Sequence, residues 1–551
     1  MSCSLVTCLY NHVHSWKRTK WVNRHKSFTP LLNNHKQNKK NGFKPLNSRN
    51  SLHRKFPMIP AVFRDNCRNN IRSVDIRESN NNINDNDNAK TKNVLFKIIP
   101  LGFMFFCIIF NYSILRDTKD VLVITAPGSG AEILPFLKTW VNLPLSIGFM
   151  ILYSRLLNVL SPEVLFYVVM LPFIVFFWSF AHLIYPNREL LHLNDWADTL
   201  LYKYGTSVMG ISSILRNWTF CVFYVVAELW GSFVVSILFW GYSNQIVKID
   251  EAKKYYPMFG MGANCALILS GQTIKHFSKF RTSLPSYIDG WEISLKCMMN
   301  VVVGFGFSVI LIYFMMNRFH KQYHRIKKNE KLSLFESFSY MIKSKYIRDI
   351  SIIVISYGIC INLVEVTWKS KVKMMYTNPN EYSYFMGNFS TYTGFVTLAM
   401  TFFSKYIFQY FGWRVASLIT PIVLCVTGMV FYIIIVYETN LASSLYLAIL
   451  IGSIQNIAAK STKYVLFDPC KEIAFIPLDY KKRTKGKAIV DVICNPIGKS
   501  GGALIQQVMI LTYGSIFNSI PYLAAVLLLF TFVWIRAVES LNKQLITLSE
   551  E

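Results

Sequence analysis

What most constrains this chain is a repetition: from residue 94 onward, long apolar runs alternate with short polar connectors almost to the end. A bilayer core about 30 Å thick takes about 20 residues of α-helix to cross. Runs of that length lie near 94–115, 136–156, 164–185, 217–246, 255–274, 291–316, 349–368, 383–404, 414–437, 444–467, 487–513 and 517–537. They predict an all-α polytopic membrane protein with about twelve transmembrane helices. Composition agrees, because 16% of the 551 residues are charged, where soluble domains carry about 25%. The mean hydropathy is +0.31. The fifth, eighth and eleventh runs are interrupted by Gly, Asn, Ser or Pro, which helices lining a cavity use more than helices facing lipid.

A formal charge of +28 would suggest a nucleic acid partner if it lay on a solvated domain. Its distribution argues otherwise. Residues 1–93 hold 18 Lys and Arg against 5 Asp and Glu, with the first acid at Asp65, and are rich in Asn, as in the run from Asn80 to Asn88. This composition reads as a disordered leader. Lacking acid for 64 residues and any secretory-type apolar core, it suits an organelle transit peptide; the alternative is a disordered cytosolic tail. Two connectors hold much of the remaining charge, 318–348 with nine basic and two acidic residues and 469–487 with six and two. Short basic connectors stay on the cytosolic side or its equivalent, which puts both termini there. The expected environment is a lipid bilayer, with no nucleic acid polymer as partner.

The 318–348 connector divides the spans six plus six. The domain reading is a leader 1–93, a first half 94–316, a basic connector 317–348 and a second half with a short tail 349–551. A parallel between the halves supports it: Ala227-Glu228 to Gly271 and Ala459-Lys460 to Gly502 share a charged residue in one span, a basic connector, and an Asn in the next span, Asn264 or Asn495. Two six-helix halves around a midplane site is the major-facilitator-like architecture. The eleven Cys include no C-x-x-C pair, so neither a zinc site nor a disulfide framework is expected.

Ionisable side chains within a bilayer cost about 2.5–3.5 kcal/mol each even on lenient scales. Four stand deep in apolar runs: Lys138, Glu228, Glu365 and Lys499. They could form two structural Lys–Glu pairs, or line a polar cavity in which the lysines meet a multiply charged anion and the glutamates balance them when it is empty. Glu228 is the hardest to explain by snorkelling, since a short acidic side chain cannot reach the interface from mid-span. A second group flanks the spans: Arg116, Asp117, Lys119 and Asp120 after the first, Lys369, Lys371 and Lys373 after the seventh, Arg216 before the fourth, and Lys460 and Lys463 on one face of the tenth. Anchoring at the interface is the alternative for Arg216, Lys371 and Lys373. Gly498-Lys499-Ser500 matches the end of a P-loop, but Ile493 replaces its first glycine. No metal cluster, Ser-His-Asp set or catalytic carboxylate pair is apparent, so neither an enzyme nor a cofactor is expected.

Specific strings go further. Leu115-Arg116-Asp117-Thr118-Lys119-Asp120, Ala131 to Trp140, Ala227-Glu228-Leu229-Trp230-Gly231-Ser232, Asn362 to Lys369, Phe467-Asp468-Pro469-Cys470-Lys471-Glu472 and Gly498-Lys499-Ser500-Gly501-Gly502 together resemble the ATP/ADP translocases of plastids and obligate intracellular parasites, and the plastid members most. The resemblance covers about residues 94–545. It implies a twelve-helix carrier, unrelated to the six-helix mitochondrial carriers, that exchanges ATP for ADP, with phosphate accompanying ADP in the plastid type. The family's two transport-critical lysines and two glutamates fall on Lys138, Lys499, Glu228 and Glu365. Arg116, Lys119, Arg216, Lys369, Lys460 and Lys463, with Asn264 and Asn495, are secondary expectations as phosphate or cavity contacts. With the basic leader, the expected location is a plastid inner envelope, or alternatively the plasma membrane of an intracellular parasite, and a monomer is the default expectation for a carrier of this size. Alternatives are transport of another nucleotide, NAD or phosphate within the family, and, in another class, a non-transporting receptor or scaffold.

Overall fold

The structure is a computed structural model that describes residues 68–550, apart from 248, 280–284, 286–288, 320–342, 438–441, 479–485 and 488. Most of the expected leader and of the 318–348 connector, and part of the 469–487 connector, lie outside the described residues. No strand occurs among the described residues. The long helices are α1 (Phe96–Thr125), α2 (Ile133–Leu157), α3 (Pro162–Ile184), α4 (Trp218–Ile246), α5 (Ile249–Ser278), α6 (Gly290–Arg318), α7 (Lys345–Met375), α8 and α9 within the run Pro379–Val436, α10 (Ala442–Ala474), α11 (490–513) and α12 (Ile520–Leu548). Nine helical runs among the described residues are long and apolar enough to cross a membrane. In that number α8 and α9 are one run, and α5 and α11 are absent because Asn264, Asn495, Lys499, Gln506 and Gln507 dilute them.

Local sequence sets the helix ends. Ser161 accepts from the Val164 amide at the start of α3, ahead of Pro162, and Asn378 accepts from Asn380 at the start of α8, ahead of Pro379. Both follow the preference for a polar cap followed by proline in the first turn. Between α8 and α9 the chain turns at Gly412, with φ 74° and ψ −174°, a conformation essentially reserved for glycine. The helix leading into α1 begins at Arg68, so it includes the Asn80–Asn88 run that composition reads as disordered. Elongating an existing helix costs less than nucleating one, which lets poor helix formers extend it.

Close helix contacts are made at small residues, as in membrane bundles generally. A Cβ at Gly231 would lie 2.5 Å from the Tyr112 ring, fixing α4 on α1, and one at Gly452 would lie 2.4 Å from Trp368, fixing α10 on α7. The same two interfaces are locked by buried indoles. Trp230 donates to the Ile108 carbonyl at 3.2 Å and Trp368 to the Ile449 carbonyl at 3.2 Å. Gly358 on α7 faces Gly498 on α11, where an added Cβ would come within 2.8 Å of backbone atoms. Gly271 on α5 meets Gly387 on α8, where an added Cβ would lie 2.6 Å from the Gly387 carbonyl oxygen. Across the two expected halves, α5 thus packs on α8. On α2, the Trp140 indole donates to Gln507 of α11 at 3.1 Å.

Candidate functional site

The charged residues of α1, α4, α7 and α10 join into one alternating chain. Glu228 of α4 pairs with Lys119 of α1 at 3.0 Å, and Lys119 with Asp120 at 3.0 Å. Asp120 pairs with Lys369 of α7 at 2.8 Å and Lys369 with Glu365 at 2.9 Å, and the same Glu365 oxygen receives Lys460 of α10 at 3.1 Å. Three ammonium groups alternate with three carboxylates, so the chain is neutral. Neutrality is what burial demands, since an unpaired charge in a low dielectric is expensive. The Lys119 ammonium also lies over the Tyr224 ring at 3.7 Å and that of Lys460 near the Phe389 ring at 4.9 Å, each an added cation–π attraction.

Two flanking cations are also matched. Arg116 pairs with Asp117 at 3.0 Å and donates to the Ser390 hydroxyl of α8 at 3.0 Å, while Ser390 donates to Asp117. Lys463 pairs with Asp468 at 3.1 Å.

Lys138 and Lys499 are different. Neither makes an ion pair with a described carboxylate. The Lys138 ammonium donates to the Asn362 side-chain oxygen at 2.6 Å, and the Asn362 amide donates to the Lys499 backbone carbonyl at 3.2 Å. Asn362, on α7, therefore connects the two lysine positions, and Gln506 of α11 holds the adjacent backbone by donating to the Leu363 carbonyl at 3.1 Å. The Lys499 side chain is exposed and that of Lys138 half-buried. The glutamates make their direct ion pairs with Lys119, Lys369 and Lys460, while Glu228 also feels the charges of Lys138 and Lys499, and Glu365 that of Lys138. Among these four described residues no Lys–Glu ion pair is in direct contact.

Several of these groups sit beside π-helical turns, at Leu137–Asn142 in α2, Trp230–Phe239 in α4, Lys463–Phe467 in α10 and Val490–Cys494 in α11. Such turns interrupt the regular backbone ladder and recur at functional sites. Expected contacts outside the cluster are Arg216, Asn264 and Asn495. Arg216 pairs with the exposed Asp198 in the α3–α4 connection. Asn264 is buried on α5, where its backbone carbonyl would lie 3.3 Å from a Cβ on Gly394 of α8. Asn495 is exposed near the start of α11. Sequence reasoning gave no role to Asn362, Tyr224 or Ser390, and treated Asp120 only as an end-of-span charge.

A separate cavity of about 810 Å³ opens at the end where α1 finishes, lined by Thr125, Arg188, His192, Arg216, Asn217 and Trp291 among others, with none of the charge chain. Within it His192 shares a hydrogen bond with the Thr219 hydroxyl at 2.6 Å, and burial, aided by Arg188, holds its imidazole below the usual histidine range.

The geometry now has a family to go with it. The model of the TLC ATP/ADP transporter family matches residues 89–545. The chain belongs to that family. Its relatives include ADP,ATP carrier protein 2, chloroplastic, of Arabidopsis thaliana, 54% identical over 468 residues covering 83% of this chain and 76% of that protein. The plastidic ATP/ADP-transporter of Solanum tuberosum is 55% identical, covering 83% and 74%. ADP,ATP carrier protein 1 of Chlamydia muridarum is 46% identical, covering 82% and 88%. Among solved structures, a bacterial homologue of the iron transporter ferroportin superposes with TM-score 0.51 at 13% identity, covering 81% of this chain and 98% of that one. A likeness that distant concerns the fold alone, and it agrees with the major-facilitator-like reading.

Proposed function

We propose that this protein exchanges ATP for ADP across a plastid-envelope membrane by alternating access, with phosphate travelling beside ADP, and that Lys138 and Lys499 are its receptors for the phosphate chain. Family membership carries the exchange activity. One observation supports the receptor assignment: these two lysines have no described carboxylate in ion-pair contact, unlike Lys119, Lys369 and Lys460, and lie one on each expected half, connected through Asn362. A polyphosphate supplies the missing anion. ATP carries about one negative charge more than ADP, and moving one charge across a membrane costs about 2.3 kcal/mol per 100 mV. Phosphate moving with ADP makes the cycle nearly electroneutral.

In this reading the twelve long helices all span, with both termini on one side, residues 1–93 contain a plastid import leader, and the carrier works as a monomer. Glu228 and Glu365 act by holding Lys119, Lys369 and Lys460 in place. The test is uptake of labelled ATP into proteoliposomes loaded with ADP, with and without internal phosphate. Wild-type protein is expected to exchange, to be competed by ADP and ignored by GTP, and to run faster with phosphate inside. Lys138→Ala and Lys499→Ala are expected to lose exchange by about 100-fold, as when a charge-assisted contact of about 3 kcal/mol is removed. Uptake and affinity unchanged in Lys499→Ala would remove it from the binding site.

A further inference from the structure

The charge chain crosses from one expected half to the other at a single link, Asp120 of α1 with Lys369 of α7, at 2.8 Å. Both side chains are nearly inaccessible, 4% and 5% exposed. We propose that Asp120 is the latch that makes exchange obligatory: its ion pair with Lys369 holds the empty carrier shut, and the phosphates of a bound nucleotide release it. This inference rests on the exchange reading above and adds a residue and a role to it.

Asp120 and Lys369 lie toward the ends of α1 and α7, five residues before Thr125 and six before Met375. Two helices held together there cannot spread at that end without separating the pair. Separating the pair leaves Glu228, Lys119 and Asp120 with one negative charge in excess and Lys369, Glu365 and Lys460 with one positive charge in excess, so the empty protein stays closed. Each member also has a partner on its own helix, Lys119 for Asp120 and Glu365 for Lys369. Neither Asp120 nor Lys369 is then left wholly unpaired, which keeps the imbalance to one charge on each side and the break reversible.

What breaks the link is an anion. Lys119 and Lys369 are the two ammonium groups that hold Asp120, and a phosphate chain arriving at Lys138 and Lys499 brings several negative charges into the same cluster. Those charges compete with Asp120 for the ammonium groups and repel its carboxylate. The loaded carrier opens, while a carrier returning empty lacks the competitor and stays latched. Strict one-for-one exchange follows from that asymmetry, because a ligand shifts a conformational equilibrium only through its differential interaction with the two states.

The experiment loads proteoliposomes with labelled ADP and measures efflux into buffer with and without external ATP. Wild-type efflux is expected only with external ATP, and Asp120→Glu, which keeps the charge, is expected to behave likewise. Asp120→Asn is expected to raise efflux into nucleotide-free buffer at least tenfold, with exchange reduced only a few-fold. If Asp120→Asn does not assemble, Lys369→Gln takes its place, since it opens the link from the other side with Asp120 still matched by Lys119. A folded, exchanging variant of either kind that stays silent in nucleotide-free buffer overturns the proposal, and so does Asp120→Glu leaking as Asp120→Asn does. A purely structural role predicts lost exchange without leak. Wild-type protein that fails to exchange ATP for ADP would instead count against the function itself, which keeps the two failures apart.

Discussion

The α1–α4 interface and the α7–α10 interface solve one problem with opposite signs. In the first, the lysine is on α1 and the glutamate on α4, Lys119 with Glu228; in the second, the glutamate is on α7 and the lysine on α10, Glu365 with Lys460. Each interface is closed by an indole donating to the facing helix and by a glycine that admits an aromatic ring. The reversal has a consequence. It places a carboxylate on α1 opposite an ammonium on α7, so that Asp120 and Lys369 can join across the halves, where two copies of the same polarity would set like charges face to face. The loads also differ, because Glu365 serves two lysines, Lys369 and Lys460, and Glu228 serves one, Lys119.

That difference predicts the largest effects. Glu365→Gln leaves Lys460 without a described carboxylate in contact and Lys369 with Asp120 alone, and removing one partner of a buried pair costs about 3–5 kcal/mol. Glu228→Gln leaves Lys119 with Asp120 at 3.0 Å, and Glu228 is itself 26% exposed, so solvent screening brings its cost well below that range. Unfolding midpoints in detergent should fall further for Glu365→Gln than for Glu228→Gln. Exchanging the charges, Glu228→Lys with Lys119→Glu, should recover less than half of what either single reversal loses, because the new glutamate would sit beside Asp120. Equal midpoints for the two Gln variants would break the asymmetry between the interfaces.

The same interfaces explain what could be read in advance. The long helices were legible because the bilayer fixes their length, and Lys138, Glu228, Glu365 and Lys499 were legible because a charge deep in an apolar run is costly wherever the chain folds. The cross-half link was not. Counting apolar residues stops the first run at 115 and the seventh at 368, which leaves Lys119, Asp120 and Lys369 outside as interface charges. In the structure α1 continues to Thr125 and α7 to Met375, and Val121, Leu122, Val123 and Ile124 beyond the charges are fully buried. Charges that neutralise one another let a helix continue through them, and hydropathy counts each as a penalty without seeing its partner. Asn362 was invisible for a related reason: its partner Lys138 is 224 residues away, and an uncharged amide in an apolar run carries no sign to match.

An effect of middle size sharpens a second contrast, between the contact of α7 with α11 and the packing next to it. A Cβ at Gly358 would lie 2.8 Å from the backbone of Gly498, whereas one at Gly501 would meet only the Ile359 side chain at 3.8 Å. Backbone cannot move aside as a side-chain tip can, so Gly358→Ala should cost about 1–3 kcal/mol by overpacking. It should also displace Asn362, one turn further along α7, and weaken exchange. Gly501→Ala should leave both midpoint and exchange unchanged. If the two alanines behave alike in detergent unfolding, α7 and α11 are not in backbone contact there.

The smallest effect asks whether the two interfaces are equivalent once their charges are set aside. Trp230→Phe and Trp368→Phe each remove one indole N–H and leave the Ile108 or Ile449 carbonyl without that donor, while keeping an aromatic ring in a fully buried site. A neutral hydrogen bond contributes about 1 kcal/mol. Each carbonyl also stays within its own helix ladder, which limits the loss to that order. Because donor, distance and burial agree, the two variants should lower the unfolding midpoint equally, and the double variant additively, since the sites lie on different helix pairs and share no partner. A larger loss for Trp368→Phe would mean that the α7–α10 interface depends on its indole because Gly452 packs directly against that ring. In that case the equivalence of the halves would hold for their charges but not for their packing.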